Sequence, residues 1–253
     1  MLPREAFHAK PLNFHEIMDA TGINLQAVKR RIANAAAQCG RNQENIGLIA
    51  VSKSFGTDAV TSAYAQGQRA FGESYVQEAI DKVSVLAHLG LIWHYMGPIQ
   101  SNKTRAIAAH FAWVHSVDRL KIAERLSSAR SASLPPLQIC LQVNIGNEIT
   151  KSGVAPGDAL ALARAILTLP KLNLRGLMAI PPATQDKARQ RHYFAQLRTL
   201  KEQLTASGIT LDTLSMGMSD DFEAAIMEGA TLVRVGSAIF GPRPTSVGIR
   251  SKI

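Results

Sequence analysis

Apolar and polar residues alternate along the chain in two patterns, one typical of helices and the other of strands. From about residue 12 to residue 39, Ile17, Leu25 and Ile32 recur at roughly helical spacing, and Gly40 is a suitable helix stop. Further along, short continuous apolar runs alternate with amphipathic stretches. The pattern predicts one N-terminal helix followed by a repeat of strands and helices.

Eight apolar runs are typical of buried strands: IGLIAVS, RAFGES, LIWHYMG, AWVHSV, LQICLQVNI, LNLRGLMAI, LDTLSMG and TLVRVG. Seven helix-like stretches separate them, and a short SAIFG segment follows the last. Apolar strands that alternate with helices indicate a parallel α/β sheet covered by helices. We expect a single domain over residues 1–253, with a (β/α)8 TIM-type barrel at about 45–242. A doubly wound open sheet is the alternative, because periodicity does not show closure.

Composition excludes several other classes of protein. The hydrophobic share of 46% and the charged share of 19% are ordinary for a globular chain. Cys39 and Cys140 are too few for a disulfide framework and are not in metal-ligand spacing, so no metal is expected. No apolar run approaches the ~20 residues of a membrane span, and the N-terminus has no apolar signal region. A cytoplasmic protein without membrane binding is expected.

The formal net charge of +9 favours an acidic partner, such as a nucleic acid or a phosphorylated small molecule. The basic residues are scattered over helix faces, as in KARQRHYFAQLRTLKEQL, and no nucleic-acid motif accompanies them. Nucleic-acid binding is therefore not expected.

Two turns at the ends of the last strands are candidates for phosphate binding, because functional groups of such barrels gather where strands end. Gly236 and Ser237 follow the last strand, where backbone N–H groups can bind an anion. The preceding turn, SMGMSDD, offers Gly217 for close approach and the hydroxyls of Ser215 and Ser219. Glycines that merely permit tight turns are the alternative, but two such turns on adjacent strands favour a phosphate site.

Lys53 ends the first strand, IGLIAVSKSFG. An amine at the mouth of an apolar strand loses its proton readily, and a neutral lysine forms Schiff bases with carbonyl groups. Opposite a phosphate site, it suggests either an aldolase-type substrate or pyridoxal 5′-phosphate (PLP). The alternative is a structural ion pair of Lys53 with Glu73 or Asp58.

Arg234 lies inside the last strand between two valines, so alternation turns it into the barrel if the valines face outward. It would then need an acceptor, and Glu73 is a candidate for a purely structural pair. His94 and His115 end the third and fourth strands, and core histidines are a better interpretation than metal ligands. No serine-hydrolase elbow, Walker loop or Rossmann fingerprint occurs.

Six motifs occur in order: LIAVSKSF, FGESYVQEA, WHYMGPIQSNK, GLMAIPP, LSMGMSDDFEAAI and VRVGSAIFG. Together they resemble the pyridoxal phosphate homeostasis protein family, whose members are YggS-like and similar to the N-terminal domain of alanine racemase. The resemblance runs from about residue 45 to residue 242. It implies a single (β/α)8 barrel that holds PLP.

The resemblance also implies a role for each matching residue. Lys53 would form the aldimine with PLP, and Ser219, Gly236 and Ser237 would contact its phosphate. Arg234 would face the pyridine nitrogen. Since a guanidinium cannot accept a hydrogen bond, that nitrogen would stay unprotonated and the ring would be a weaker electron sink. Ser74 departs from the family, which usually has asparagine there.

The function implied is intracellular PLP homeostasis or delivery, with little or no catalytic turnover and no assigned catalytic residue. Full racemases add a β-domain that supplies a tyrosine acid/base, and this chain ends soon after IFGPRP, without room for that domain. Tyr95 is the tyrosine that could approach the site. A monomer is expected, with PLP-requiring apo-enzymes as recipients. The alternatives are a PLP-dependent amino-acid racemase or decarboxylase and a cofactor-free aldolase.

Overall fold

The computed structural model describes residues 14–148 and 151–242, and their side chains from residue 20 onward. The strands within this part are β1 (Gly47–Val51), β2 (Ala70–Glu73), β3 (Ile92–Tyr95), β4 (Trp113–Val117), β5 (Leu137–Gln142), β6 (Leu172–Met178), β7 (Thr213–Ser215) and β8 (Leu232–Val235). The helices are α1 (Phe14–Gln38), α2 (Thr57–Ala65), α3 (Val76–Val85), α4 (Thr104–His110), α5 (Leu120–Ala129), α6 (Ala159–Leu167), α7 (Lys187–Ala206), α8 (Phe222–Met227) and α9 (Ser237–Phe240). The first residues of the predicted N-terminal helix, 12 and 13, lie outside the described residues.

The strands form a closed parallel barrel in the order β1 to β8. Closure depends on β1, which pairs with β2 through Ala50 and Phe71 and with β8 through Ala50 and Val235. The predicted (β/α)8 barrel is therefore confirmed, and the open doubly wound sheet is excluded. None of the helices described combines the length and apolarity of a membrane-crossing segment.

Alternation along β8 sends its side chains to opposite faces of the barrel wall. Val233 and Val235 are fully buried and belong to the hydrophobic core. Arg234, between them, forms hydrogen bonds with residues of the β6 and β7 ends. The arginine thus points into the barrel, as the alternation predicted.

Helix α1 covers a part of the barrel wall that the strand–helix repeat leaves open. The helix after β8, α9, is only four residues long, and α1 packs against α2, α8 and α9. Asn24 of α1 donates a hydrogen bond from Nδ2 to the carbonyl oxygen of Ile239, 3.1 Å away. Leu25, Val28 and Ile32 of α1 are buried. The N-terminal helix completes the outer layer on the side where α9 is too short to do so.

Candidate functional site

A cavity of about 260 Å³ opens where the strands end. Its lining includes all of the residues predicted to bind a cofactor, namely Lys53, Ser219, Arg234, Gly236 and Ser237. The rest of the lining is Val51, Phe55, Ser74, Met96, Ile180, Met218, Asp220 and Gly241. Ligand pockets in proteins typically measure about 300–1,000 Å³, so this cavity suits one small ligand. The fold thus brings the predicted residues together.

Closure of the barrel is what brings Lys53 close to the glycine turn. Lys53 lies two residues beyond the end of β1, and Gly236 follows β8, which is paired to β1. Ser219 joins them from the turn after β7, where its Oγ accepts a hydrogen bond from the backbone N–H of Ala238 at 3.3 Å. Three strand ends therefore contribute to one pocket.

Both turns at the pocket favour glycine. Gly217 has φ +93°, and a Cβ there would lie 2.8 Å from the Cα of Phe222. A Cβ on Gly236 would lie 3.2 Å from the carbonyl oxygen of Val51, which is a tight contact. Each glycine therefore lets backbone approach backbone closely.

Arg234 is buried and held by two acceptors. Its Nη1 donates to the Oγ of Ser215 at 2.8 Å, and its Nη2 donates to the carbonyl oxygen of Ala179 at 2.9 Å. Burial lowers the pKa of Arg234 to about 10, with Asp221 acting in the opposite direction. The guanidinium therefore remains charged at neutral pH, and Ser215 and Ala179 rather than Glu73 are its acceptors.

A chain of polar side chains continues from Arg234 through the barrel interior. Ser215 Oγ lies 2.8 Å from Nδ1 of His115, and Nε2 of His115 lies 3.0 Å from Nδ1 of His94. Burial lowers the pKa of His94 to about 3, and burial, His94 and Arg234 hold the pKa of His115 well below its ordinary value. Both imidazoles are neutral at neutral pH and belong to the core, as the sequence predicted.

The arginine fixes the direction of the first hydrogen bond in this chain. A guanidinium only donates, so the Ser215 oxygen accepts from Arg234. That oxygen keeps a second lone pair as well as its proton, so it can either donate to Nδ1 of His115 or accept from it. A neutral imidazole has one N–H and one acceptor nitrogen, so the direction of the His115–His94 bond follows the tautomer of His115.

Two residues considered for the site point elsewhere. Ser215, an expected phosphate donor, is fully buried and is bonded to Arg234 and His115 inside the barrel. Tyr95 is 2% exposed, and its single hydroxyl proton is shared between the carbonyl oxygens of Ser74 and Pro98, 3.2 and 3.1 Å away. Burial raises the pKa of Tyr95 to about 12. Neither side chain lines the described cavity.

Glu73, a suggested partner of Lys53, belongs to another cluster. It is fully buried, and its Oε1 accepts from the Oγ of Ser52 at 2.7 Å and from the Nζ of Lys82 at 2.8 Å. Burial raises the pKa of Glu73, while the ammonium of Lys82 acts to lower it. Lys82 and its contacts were not foreseen from the sequence.

The apolar part of the pocket was also missed. Phe55, Met96, Ile180 and Met218 each follow a strand end by one to four residues. Applying the strand-end rule to apolar as well as polar residues would have found them. The centroid of the Phe55 ring lies 5.3 Å from that of the Phe240 ring, so the two rings are in contact.

Comparisons with known proteins agree with this fold. Residues 23–244 match the family model described as alanine racemase, N-terminal domain. A pyridoxal phosphate homeostasis protein of Pseudomonas aeruginosa is 58% identical over 226 residues, which is 89% of this chain and 97% of that protein. This chain belongs to the pyridoxal phosphate homeostasis protein family. Another member, from Escherichia coli, is 48% identical over 232 residues, or 90% of this chain and 99% of that protein.

Two solved structures extend the comparison for this member of the family. PipY of Synechococcus elongatus, solved with PLP bound, has a TM-score of 0.75 and 40% identity, covering 85% of this chain and all of that one. An alanine racemase of Clostridium difficile shares only the fold, with 15% identity, a TM-score of 0.69 and coverage of 92% of this chain and 59% of that one. The family resemblance of the six motifs is thus confirmed.

Proposed function

We propose that this protein binds PLP in the cavity, joined to Lys53, and serves intracellular PLP homeostasis as a carrier with little or no turnover. The observation that carries the proposal is that Lys53 and the Gly236–Ser237 turn line one small pocket on paired strands. Membership of the family and the PLP found in PipY support it.

The residues present suit this cofactor. When bound, PLP supplies an aldehyde that condenses with amines and a ring that withdraws electrons. The Lys53 nitrogen would bond to the aldehyde carbon, and the aldehyde oxygen would leave as water. The hydroxyls of Ser219 and Ser237 and the backbone N–H groups after Gly236 would bind the phosphate. Arg234 would donate to the ring nitrogen, which would then stay unprotonated.

Low turnover follows from the same residues. The titratable side chains that line the described cavity are Lys53, Asp220 and Arg234. Arg234 keeps its proton, and Asp220 is an exposed residue at the rim. Racemisation needs a base on each face of the substrate carbon, and Tyr95 is bonded to backbone carbonyls instead. These observations favour a carrier over a racemase or decarboxylase.

The first experiment titrates the purified protein with PLP and follows the visible absorbance. We expect a band that borohydride removes, with the reduced label mapping to Lys53. Lys53→Ala and Lys53→Arg should both lack the band, because neither can form the carbon–nitrogen double bond. Lys121→Ala, which removes an exposed lysine, should keep it. A label confined to other lysines would contradict the proposal. A protein that is already yellow when purified, with a band that Lys53→Ala lacks, would exclude the cofactor-free aldolase.

A second experiment separates carrier from enzyme. The loaded protein is incubated with amino acids deuterated at the α-carbon, and steady loss of the deuterium over many turnovers would contradict the carrier role. Delivery is measured by adding the loaded protein to a PLP-requiring apo-enzyme together with a phosphatase that destroys free PLP. We expect activity to appear despite the phosphatase, since the cofactor passes between proteins.

A further inference from the structure

An ammonium group is buried beside the segment that follows β1 and carries Lys53. Lys82 of α3 is 4% exposed. Its Nζ donates to the carbonyl oxygen of Ser52 at 2.8 Å, to Oε1 of Glu73 at 2.8 Å and to Oε1 of Glu78 at 2.5 Å. An ammonium has three donors, and here each has an acceptor. The cluster of Glu73, Glu78 and Lys82, called the β2–α3 ion cluster below, is therefore complete around its cation.

The β2–α3 ion cluster holds the backbone on both sides of Lys53. On one side, Ser52 is fixed twice, because its carbonyl accepts from Lys82 and its hydroxyl donates to Glu73 at 2.7 Å. On the other side, the N–H of Ser54 donates to Oε1 of Glu78 at 2.7 Å. Lys53 thus lies between two anchored residues.

Ser54 has an unusual backbone conformation. Its φ of +68° lies in the left-handed region, which residues other than glycine seldom adopt. Such a conformation persists where surrounding contacts fix it. The charge-assisted bond from the Ser54 N–H to Glu78 is a contact of this kind.

Anchoring of Ser52 also decides which way Lys53 points. β1 ends at Val51, and just beyond it the side chains of Val51, Ser52 and Lys53 lie on alternate sides of the chain. Val51 and Lys53 line the cavity, whereas Ser52 faces Glu73 and the outer layer. Contacts that fix Ser52 outward therefore turn Lys53 toward the cavity.

A gain in stability alone does not explain the β2–α3 ion cluster. It places two carboxylates around one ammonium, and Oε2 of Glu73 has no hydrogen-bond partner among the described residues. Buried ion pairs often give little net stability, and fixing a unique arrangement is their best-attested use. We propose that Glu73, Glu78 and Lys82 are positioning residues that hold the Lys53 segment so that its amine faces the cofactor. This inference rests on the proposed function of Lys53.

The test compares three single variants. Glu78→Ala removes the acceptor of the Ser54 N–H, and Glu78→Gln keeps an oxygen acceptor at the same place. Asp81→Ala removes an exposed carboxylate from the same helix. Two quantities are measured: amide hydrogen exchange of residues 52–55 in the cofactor-free protein, and the rate at which the Lys53-linked PLP band decays in the presence of a scavenger of free PLP.

We expect Glu78→Ala to exchange the Ser54 amide faster and to lose PLP roughly tenfold faster, a change of about 1.4 kcal/mol. Glu78→Gln should bring both the amide exchange rate and the rate of PLP loss most of the way back to the wild-type values. Asp81→Ala should match the wild type in both rates. The inference would be overturned if Glu78→Ala exchanged the Ser54 amide and lost PLP at the wild-type rates. Equal effects of Glu78→Ala and Asp81→Ala would also overturn it.

Should Glu78→Ala not fold, Ser52→Ala, which removes only the hydroxyl bonded to Glu73, is measured in its place. Faster PLP loss than in the wild type supports the positioning role, and an unchanged rate contradicts it. The proposed function is tested separately, because it fails only if the wild type itself forms no borohydride-sensitive band at Lys53. In that case the amide exchange of the cofactor-free variants still decides the structural claim.

Discussion

Arg234 is the residue on which the polar interior depends. Its guanidinium has only donors, so each neighbour must accept, and Ser215 and Ala179 supply the two acceptors at 2.8 and 2.9 Å. Ser215 also forms a hydrogen bond with Nδ1 of His115 at 2.8 Å, so one hydroxyl serves both neighbours. If PLP binds as proposed, this network holds the guanidinium toward the ring nitrogen, where it only donates.

Ser215→Ala should destabilise the protein markedly. The change leaves Nη1 of Arg234 and Nδ1 of His115 without their partner in a fully buried place, and an unsatisfied buried group costs about 1–3 kcal/mol. The free energy of unfolding in urea measures the loss. Ser84→Ala, an exposed change on α3, is the control and should stay within about 0.5 kcal/mol of the wild type. Equal stability of the two variants would show that the Ser215 bonds contribute nothing.

Elements of the barrel could be predicted far better than contacts between them. The strands and helices followed from periodicity, and their number suggested closure, because each apolar run had to be covered by a helix. Lys53, Arg234 and the glycine turns could be found because they lie at strand ends. The Glu78–Lys82 pair, spaced i,i+4 on α3, is indistinguishable in sequence from an exposed helix pair. Its burial depends on how α3 lies against β1 and β2.

Ser215 illustrates the same limit at a strand end. The sequence offers Ser215 and Ser219 alike as hydroxyl donors to a phosphate, because both lie near the end of β7. Ser215 is buried in the barrel interior, whereas Ser219 lines the cavity. Which of two neighbouring hydroxyls reaches a pocket depends on where the strand stops, and element boundaries are the least certain part of a sequence-based prediction.

Helix α1 should contribute to stability through one face only. Leu25 is fully buried, whereas Ile23, two residues earlier, is 67% exposed. Leu25→Ala should lower the free energy of unfolding by about 2–5 kcal/mol, the usual result of truncating a buried leucine. Ile23→Ala is the matched control and should change it by less than about 0.5 kcal/mol. If both variants unfold at the wild-type urea concentration, α1 does not seal the barrel wall.

At the scale of the whole molecule, the barrel interior places the charged guanidinium of Arg234 beside two neutral imidazoles. Arg234 remains charged, and the chain already carries a formal net charge of +9. Protonating His115 and His94 would place two further charges in the same buried space, next to the guanidinium. We therefore expect the folded protein to disfavour protonation of these histidines and to lose stability at acidic pH.

The pKa of His94 in the folded and in the unfolded chain decides whether stability rises or falls with pH. The pKa of His94 is about 3 in the folded protein and about 6.5 as an ordinary value. Between these pH values the unfolded chain binds a proton that the folded chain does not, so stability falls as the pH falls. The loss for one such group is about 1.36 kcal/mol per pH unit, and His115 acts in the same direction. Glu73, whose pKa is raised, acts in the opposite direction and offsets part of it.

His94→Gln isolates this contribution, since the amide does not titrate and can either accept from or donate to Nε2 of His115. From pH 6 to pH 4, the wild type should lose about 2–3 kcal/mol more of its unfolding free energy than His94→Gln does, which follows from the slope of one proton over two pH units. Urea denaturation at each pH provides the values. His88→Gln, which replaces an exposed histidine on the protein surface, should follow the wild-type profile. Parallel profiles for the wild type and His94→Gln would mean that His94 does not remain neutral in the folded barrel.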